Sequence, residues 1–132
     1  MPTLKSSTLS VTIDRAWTDV YDYASDPANM SHWAAGLGSG FERSGDDWML
    51  FDPVGNPIRM RFTERNGFGV LDHDVFVDGQ MVHIAMRVVP NGDGAEVTFL
   101  LLQGPGQSDA AFLRDAGAVM KDLETLKTLM ER

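Results

Sequence analysis

Between Met49 and Leu101 the chain reads as runs of alternating polarity, separated by the tight-turn signals Gly55-Asn56, Asn66-Gly67 and Asp78-Gly79. Two-residue loops of this composition favour the turn types whose twist suits a β-hairpin. Setting each pairing from its turn gathers Met49, Phe51, Ile58, Met60, Phe62 and Leu71 on one face. The same face continues through His73, Val75, Val82, Ile84 and Met86. The opposite face then places Asp52 beside Arg59, Arg59 beside Asp74, Asp74 beside His83, and Arg61 beside Asp72. A one-residue slip moves every side chain to the other face, so agreement among the three registers argues for them. The expectation is a curved antiparallel sheet whose apolar side carries one ionisable residue, His73.

The flanks complete the pattern. Leu9, Val11 and Ile13 alternate with Ser and Thr, as in a half-buried first strand. Asp14 stands where a helix N-cap belongs, ahead of Trp17, Val20, Tyr21 and Ala24 at helical spacing. Asp26-Pro27 restarts the pattern with a cap and a first-turn proline, followed by Met30 and Trp33. Gly36, Gly38 and Gly40 end these two short helices before a strand around Phe41. A three-residue loop, Ser44-Gly45-Asp46, would set Phe41 on the same side as Met49. After a longer turn at Pro90–Gly94, Val97, Phe99 and Leu101 point inward from a last strand. Ser108 or Asp109 then caps a helix over about Ala110–Glu131. Its stripe of Phe112, Ala116, Val119, Leu123, Leu126 and Met130, widened by Leu113 and Met120, needs an apolar sheet to cover it. Arg114, Lys121, Asp122 and Glu124 mark its solvent side.

At 132 residues, with 43% hydrophobic and 23% charged residues, the chain reads as one folded domain over 1–132. A net charge of -8 excludes nucleic acid and anionic membrane surfaces as natural partners. With no cysteine there is neither a disulfide framework nor thiolate chemistry. Met1–Ser10 lacks the apolar core of a signal peptide and no run approaches a membrane-spanning length, so a cytoplasmic location is expected. No Walker, HExxH or nucleophile-elbow motif is present, and no cofactor or metal is expected.

Strand, two short helices, six-stranded meander and long C-terminal helix: this order resembles the helix-grip fold of the START and polyketide-cyclase-like (SRPBCC) superfamily. The resemblance is carried by Val11-Thr12-Ile13-Asp14, Val20-Tyr21-Asp22-Tyr23, Asp26-Pro27 and His32-Trp33. Val88-Val89-Pro90-Asn91-Gly92 and Asp122-Leu123 with Leu126-Lys127 carry it at the far end. It implies an α+β fold, with a seven-stranded curved antiparallel sheet wrapped around the long helix. It also implies a cavity between the two for an apolar, ring-containing or lipid-like molecule. The short Ser44-Gly45-Asp46 turn does not match the glycine-rich loop of the plant members.

Within that frame the candidate ligand-binding residues are Trp33, Tyr21, Phe51, Met60 and Phe62, together with His73, Ile84, Met86, Phe99 and Met120. His73 reads two ways: as a proton-transfer or anchoring group kept neutral by desolvation, or as a core histidine satisfied by a carbonyl. Trp33, Tyr21 and Tyr23 read as lining at the mouth or as packing. Met49, Met60, Met86, Met120 and Met130 suit an adaptable pocket or an ordinary core. Gly117, costly inside a helix, would leave room for a ligand or for close packing. The outer-face charge ladder fixes register rather than holding a metal, because its arginines compete for the carboxylates.

Three functions are consistent with these residues. A binding module predicts a cavity with at most one polar anchor. A cyclase or dehydratase using His73 predicts a second polar group converging on it, Tyr21 or Glu64. An interaction module rests on an outer-face patch of Trp48, Leu50, Phe76, Met81, Leu100 and Leu102, which would also suit a homodimer through the sheet.

Overall fold

The computed structural model describes residues 2–34 and 38–132; Gly36 and Leu37 of the glycine-rich run lie outside them. β1 (Ser6–Ile13) leads into α1 (Trp17–Ala24), a 3-10 turn (Pro27–Asn29) and α2 (Met30–Trp33). The meander continues as β2 (Ser39–Ser44), β3 (Asp47–Phe51), β4 (Pro57–Phe62), β5 (His73–Val77), β6 (Gln80–Asn91) and β7 (Gly94–Leu102). The chain closes on α3 (Asp109–Met130). All seven strands form one antiparallel sheet in the order β1-β7-β6-β5-β4-β3-β2. This is the α+β, helix-grip arrangement that the sequence predicts. Among the described residues no helix is long and apolar enough to cross a membrane.

Curvature has two visible sources. β2 changes register between Ser39 and Glu42, and such irregularities bend a strand. β6 is long and changes partner along its length: Gln80–Ile84 pair with β5, and Ala85–Asn91 pair with β7. Beside its second half runs the end of the β4–β5 connection, where Val70 bridges Arg87, Leu71 N–H donates to Met86 O and Val88 N–H to Gly69 O. Gly69 makes that approach feasible: its φ is +71°, and a Cβ there would stand 1.9 Å from Val88 O.

The hairpins obey their turn signals unequally. Asp78-Gly79, with φ of 52° and 73°, closes a two-residue hairpin that sets Asp74 opposite His83, as expected. At Gly55-Asn56 the expected turn is replaced by a loop from Asp52 to Asn56. Asp52 Oδ1 accepts from Val54 N–H and Asn56 N–H at 3.0 and 2.8 Å, so the carboxylate wins over the two-residue turn. Phe51 therefore pairs with Pro57 and Leu50 with Ile58, which inverts β3. Trp48 and Leu50 turn inward, and Met49 and Phe51 turn outward, Phe51 being 46% exposed and Leu50 fully buried. Asn66-Gly67 is not a hairpin turn either. Asn66 spans a longer connection, donating to Glu64 O and Val70 O and accepting from Phe68 and Val70 N–H. The β4–β5 pairing shifts by two residues, so faces survive but neighbours change: Phe62 lies opposite His73, Arg61 opposite Asp74, and Arg59 opposite Phe76.

The outer face is rebuilt accordingly. Arg59 and Arg61 both donate to Asp47, at 2.6 and 2.8 Å, and Arg59 lies 3.8 Å from the Phe76 ring centroid. Asp72 serves Arg87 instead of Arg61. With Trp48 and Leu50 turned inward and Phe76 roofed by Arg59, only Met81 and Leu102 of the expected outer patch are strongly exposed.

Smaller differences have local causes. The β2–β3 turn has two residues, Gly45-Asp46, so Glu42 rather than Phe41 faces Met49's side. β6 and β7 extend to a two-residue turn at Gly92-Asp93. α1 starts at Trp17 without a side-chain cap; Asp14 instead donates its N–H to Glu131 Oε2. Asp26 caps the 3-10 turn and Ser108 caps α3, as expected.

The core joins β1, the inner sheet face, the short helices and the C-terminal half of α3. Ile13, Val20, Leu50, Met60, Val88, Val97, Leu123 and Leu126 are fully buried. Toward its N-terminus α3 is less enclosed: Phe112 is buried, Ala116, Val119 and Met120 are half-buried, and Leu113 is 70% exposed. Gly117 is exposed and a Cβ there would meet nothing within 4 Å, so it serves neither a ligand nor close packing. Asp122, expected on the solvent side, is half-buried.

Candidate functional site

Two parts of the chain converge on one cleft. α1 and α2 are too short to hold together alone; α1 buries Val20, Tyr21 and Ala24 and rests on β6 and β7, and α2 buries Met30 and Trp33 and packs against α3. Opposite them stand the end of β4, the start of β5 and the middle of β6. The wall comprises Met30 and Trp33 on the helix side and Phe62, His73, Leu71 and Met86 on the sheet side. Ser25, Thr63 and Asp72 also border the cleft, and exposed Thr63 marks its mouth. The cavity itself is about 20 Å³, room for one water-sized group. Counted out to bulk solvent, the unfilled space of the cleft is about 330 Å³.

Four of the ten expected residues meet here: Trp33, Phe62, His73 and Met86. The other six do not line the cleft. Phe51 is on the outer face, Met60 and Phe99 are buried core, and Ile84 and Met120 are half-buried. Tyr21 is buried with its hydroxyl accepting from Asn66 N–H at 2.8 Å. The cleft also lies elsewhere than expected. It is bounded by the short helices and the sheet, with no α3 residue in its wall. In the C-terminal half of α3, Leu123 and Leu126 are fully buried in the core. Met30 and Asp72 join the lining although neither stands among the ten. Met30 shares its helix side with Trp33, one turn away, which is the signal that marks it.

His73 is 7% exposed, and its environment fixes its chemistry. Nδ1 lies 2.9 Å from Leu71 O. A carbonyl only accepts, so Nδ1 carries the hydrogen and Nε2 keeps the lone pair in the neutral ring. The ring packs against Phe62 at 5.5 Å and edge-on to Phe99 at 6.4 Å between centroids. Burial in this aromatic setting pushes the imidazole pKa down, against a smaller upward pull from the Leu71 carbonyl and Asp72. Neither partner expected for acid–base work makes a bond to it: Glu64 is exposed and the Tyr21 hydroxyl serves Asn66.

Asp72 is the charged member of the wall. Its oxygens accept from Met86 N–H at 2.9 Å and from Arg87 Nε and Nη2 at 3.1 and 2.9 Å. The Arg87 guanidinium, with the Met86 N–H, holds the carboxyl below the usual carboxylate range. Trp33, 5% exposed, presents a different feature. Its indole Nε1–H is the one buried side-chain polar atom without a hydrogen-bond partner among the described residues.

A clasp joins the two walls. Arg65, in the β4–β5 connection, donates to Asp22 Oδ1 and to Ser25 Oγ on the helix side, and lies over the Tyr21 ring. Tyr23 is engaged separately, its hydroxyl 3.2 Å from His32 Nδ1.

The chain matches no protein-family model and no curated protein by sequence. Its fold, however, is shared by solved structures. XoxI from Bacillus cereus aligns at a TM-score of 0.76 and 14% identity, over 96% of each chain. CalU16 from Micromonospora echinospora aligns at 0.68 and 16% identity, over 96% of this chain and 74% of its own. DynU16, a protein of the dynemicin biosynthetic locus, aligns at 0.72 and 12% identity, over 96% of this chain and 47% of its own. At such identities the likeness is one of fold.

Proposed function

We propose that this protein is a small-molecule-binding module of the START/polyketide-cyclase-like (SRPBCC) superfamily, taking an apolar, ring-bearing molecule in the cleft between the short helices and the sheet. The observation that carries this reading is the unpartnered Trp33 Nε1–H of a cleft whose apolar wall of Phe62, Leu71, Met30 and Met86 is joined by the polar His73, Asp72, Ser25 and Thr63. A buried donor left without a partner is costly, and an apolar cleft with few polar groups is the usual form of a ligand site. Two flexible methionines in the wall permit the cleft to widen around a guest. The fold shared with DynU16, from a biosynthetic locus, agrees with a small-molecule role.

Proton transfer by His73 has less support, because no second titratable group among the described residues bonds to it. The test is titration with the neutral fluorescent probe N-phenyl-1-naphthylamine, with stoichiometry read by native mass spectrometry. Binding of one probe per chain, abolished by Ser25→Phe at the cleft, is the expected result. Absence of binding, or binding indifferent to that plug, would refute the proposal.

A further inference from the structure

If the cleft binds an apolar ring, its polar equipment specifies what that ring must carry. Two residues of its wall, Trp33 and His73, carry a polar ring atom that no protein group engages among the described residues. The Trp33 indole Nε1–H is a donor only, and it is buried without a partner among the described residues. The His73 imidazole spends Nδ1–H on Leu71 O, which leaves Nε2 as an acceptor with no protein partner among the described residues. Trp33 and His73, which carry this donor and this acceptor, both line the cleft, whose cavity of about 20 Å³ is the space of one oxygen with its hydrogen. Of the common functional groups, a hydroxyl both accepts and donates through a single oxygen. A carboxylate cannot donate to Nε2. It would also bring a second negative charge beside Asp72, in a wall where the neutral imidazole offers no compensating charge.

We propose that the cleft selects an uncharged ring molecule bearing a hydroxyl, whose oxygen accepts from Trp33 Nε1–H while its hydrogen is donated to His73 Nε2. This specificity rests on the small-molecule-binding function proposed for the cleft. The ring lies among Phe62, Met30 and Met86, and the hydroxyl occupies the small polar end. Trp33 and His73 thus determine specificity, and the apolar wall supplies unspecific attraction.

Displacement of N-phenyl-1-naphthylamine by naphthalene, 2-naphthol and 2-naphthoate at pH 7 isolates the hydroxyl. Two neutral hydrogen bonds correspond to a preference of about tenfold or more, so 2-naphthol is expected to displace the probe at a tenth of the naphthalene concentration or less, with 2-naphthoate weakest. In Trp33→Phe and His73→Phe the naphthol-to-naphthalene ratio should fall toward one. Equal potency of naphthol and naphthalene on the wild-type chain overturns the hydroxyl anchor while leaving the binding function intact. A naphthol preference that persists in both folded variants overturns the assignment to these two residues. Stronger displacement by 2-naphthoate overturns the preference for a neutral guest. If the probe never binds, the binding function itself fails. The wild-type series needs no variant, so the anchor stays testable even where a substitution prevents folding.

Discussion

Replacing Asp122 with asparagine should stabilise the protein, and should do so only where the carboxyl is ionised. Asp122 lies on α3 one turn from Val119 and one turn from Leu126, half-buried, with Lys121 as the charge that partly offsets its desolvation. Burial pushes its carboxyl up to about 6 from an ordinary 3.8. The folded chain therefore holds a proton that the unfolded chain releases. Stability is fullest below pH 3.8 and declines as pH rises through 6. A displacement of this size would correspond to roughly 3 kcal/mol in a fully enclosed site. The side chain is only partly buried and still meets water, which reduces the cost to about 1 kcal/mol. For a domain of this size that is about 3–5 °C in Tm. Thermal melts of both chains at pH 8 and pH 3.5, followed by circular dichroism, give the comparison. The Asp122→Asn chain should melt higher at pH 8, and the two should coincide at pH 3.5. A difference of equal size at both pH values would refute the electrostatic reasoning, since asparagine would then be acting through packing or helix propensity.

His73 titrates in the opposite sense. Its folded pKa lies below 6.5, so its contribution is complete above that pH and is lost as pH falls toward the folded value. In the Asp122→Asn background, where the opposing carboxyl is gone, stability should decline from pH 7 to pH 5, and His73→Phe should flatten that slope in urea titrations. Gly69→Ala should destabilise by at least ~1–3 kcal/mol, because its Cβ would collide with Val88 O in a left-handed backbone; an unchanged urea midpoint would contradict this. Gly117→Ala should do the reverse, raising stability by about 0.5–1 kcal/mol in the same titration, since its Cβ enters open space on an exposed helix face.

How far the sequence is legible depends on how local the deciding interaction is. The Asp78-Gly79 hairpin is legible because its left-handed backbone is a property of those two residues. The Asp52–Asn56 loop is not, because the deciding bonds come from a carboxylate three and more residues before the supposed turn. That one replacement of turn by loop changes the parity of β3 and carries Phe51 out of the site. The face of His73 is readable, because the shift between β4 and β5 is an even number of residues. Its neighbour is not, nor is the tautomer, which depends on the Leu71 carbonyl. Trp33 and Met30 are visible as one side of a short helix. That this side borders residues of β4–β6 across the cleft while α2 packs against α3 comes from tertiary packing, which has no trace in local spacing.

Pairing of β1 with β7 governs the order of events when the chain is made. Ile13 finds its partner at Ala95, and Ser6 at Leu102, so almost the whole meander must exist before the earliest strand has an edge to join. Meanwhile Val11 and Ile13 remain exposed, and α1 lacks β7, one of the strands it rests on. Contacts of such long sequence separation slow folding, and they leave a bare strand open to foreign pairing while it waits. A nascent chain stalled before Gly94 would carry every residue of the cleft and still lack the strand that β1 joins.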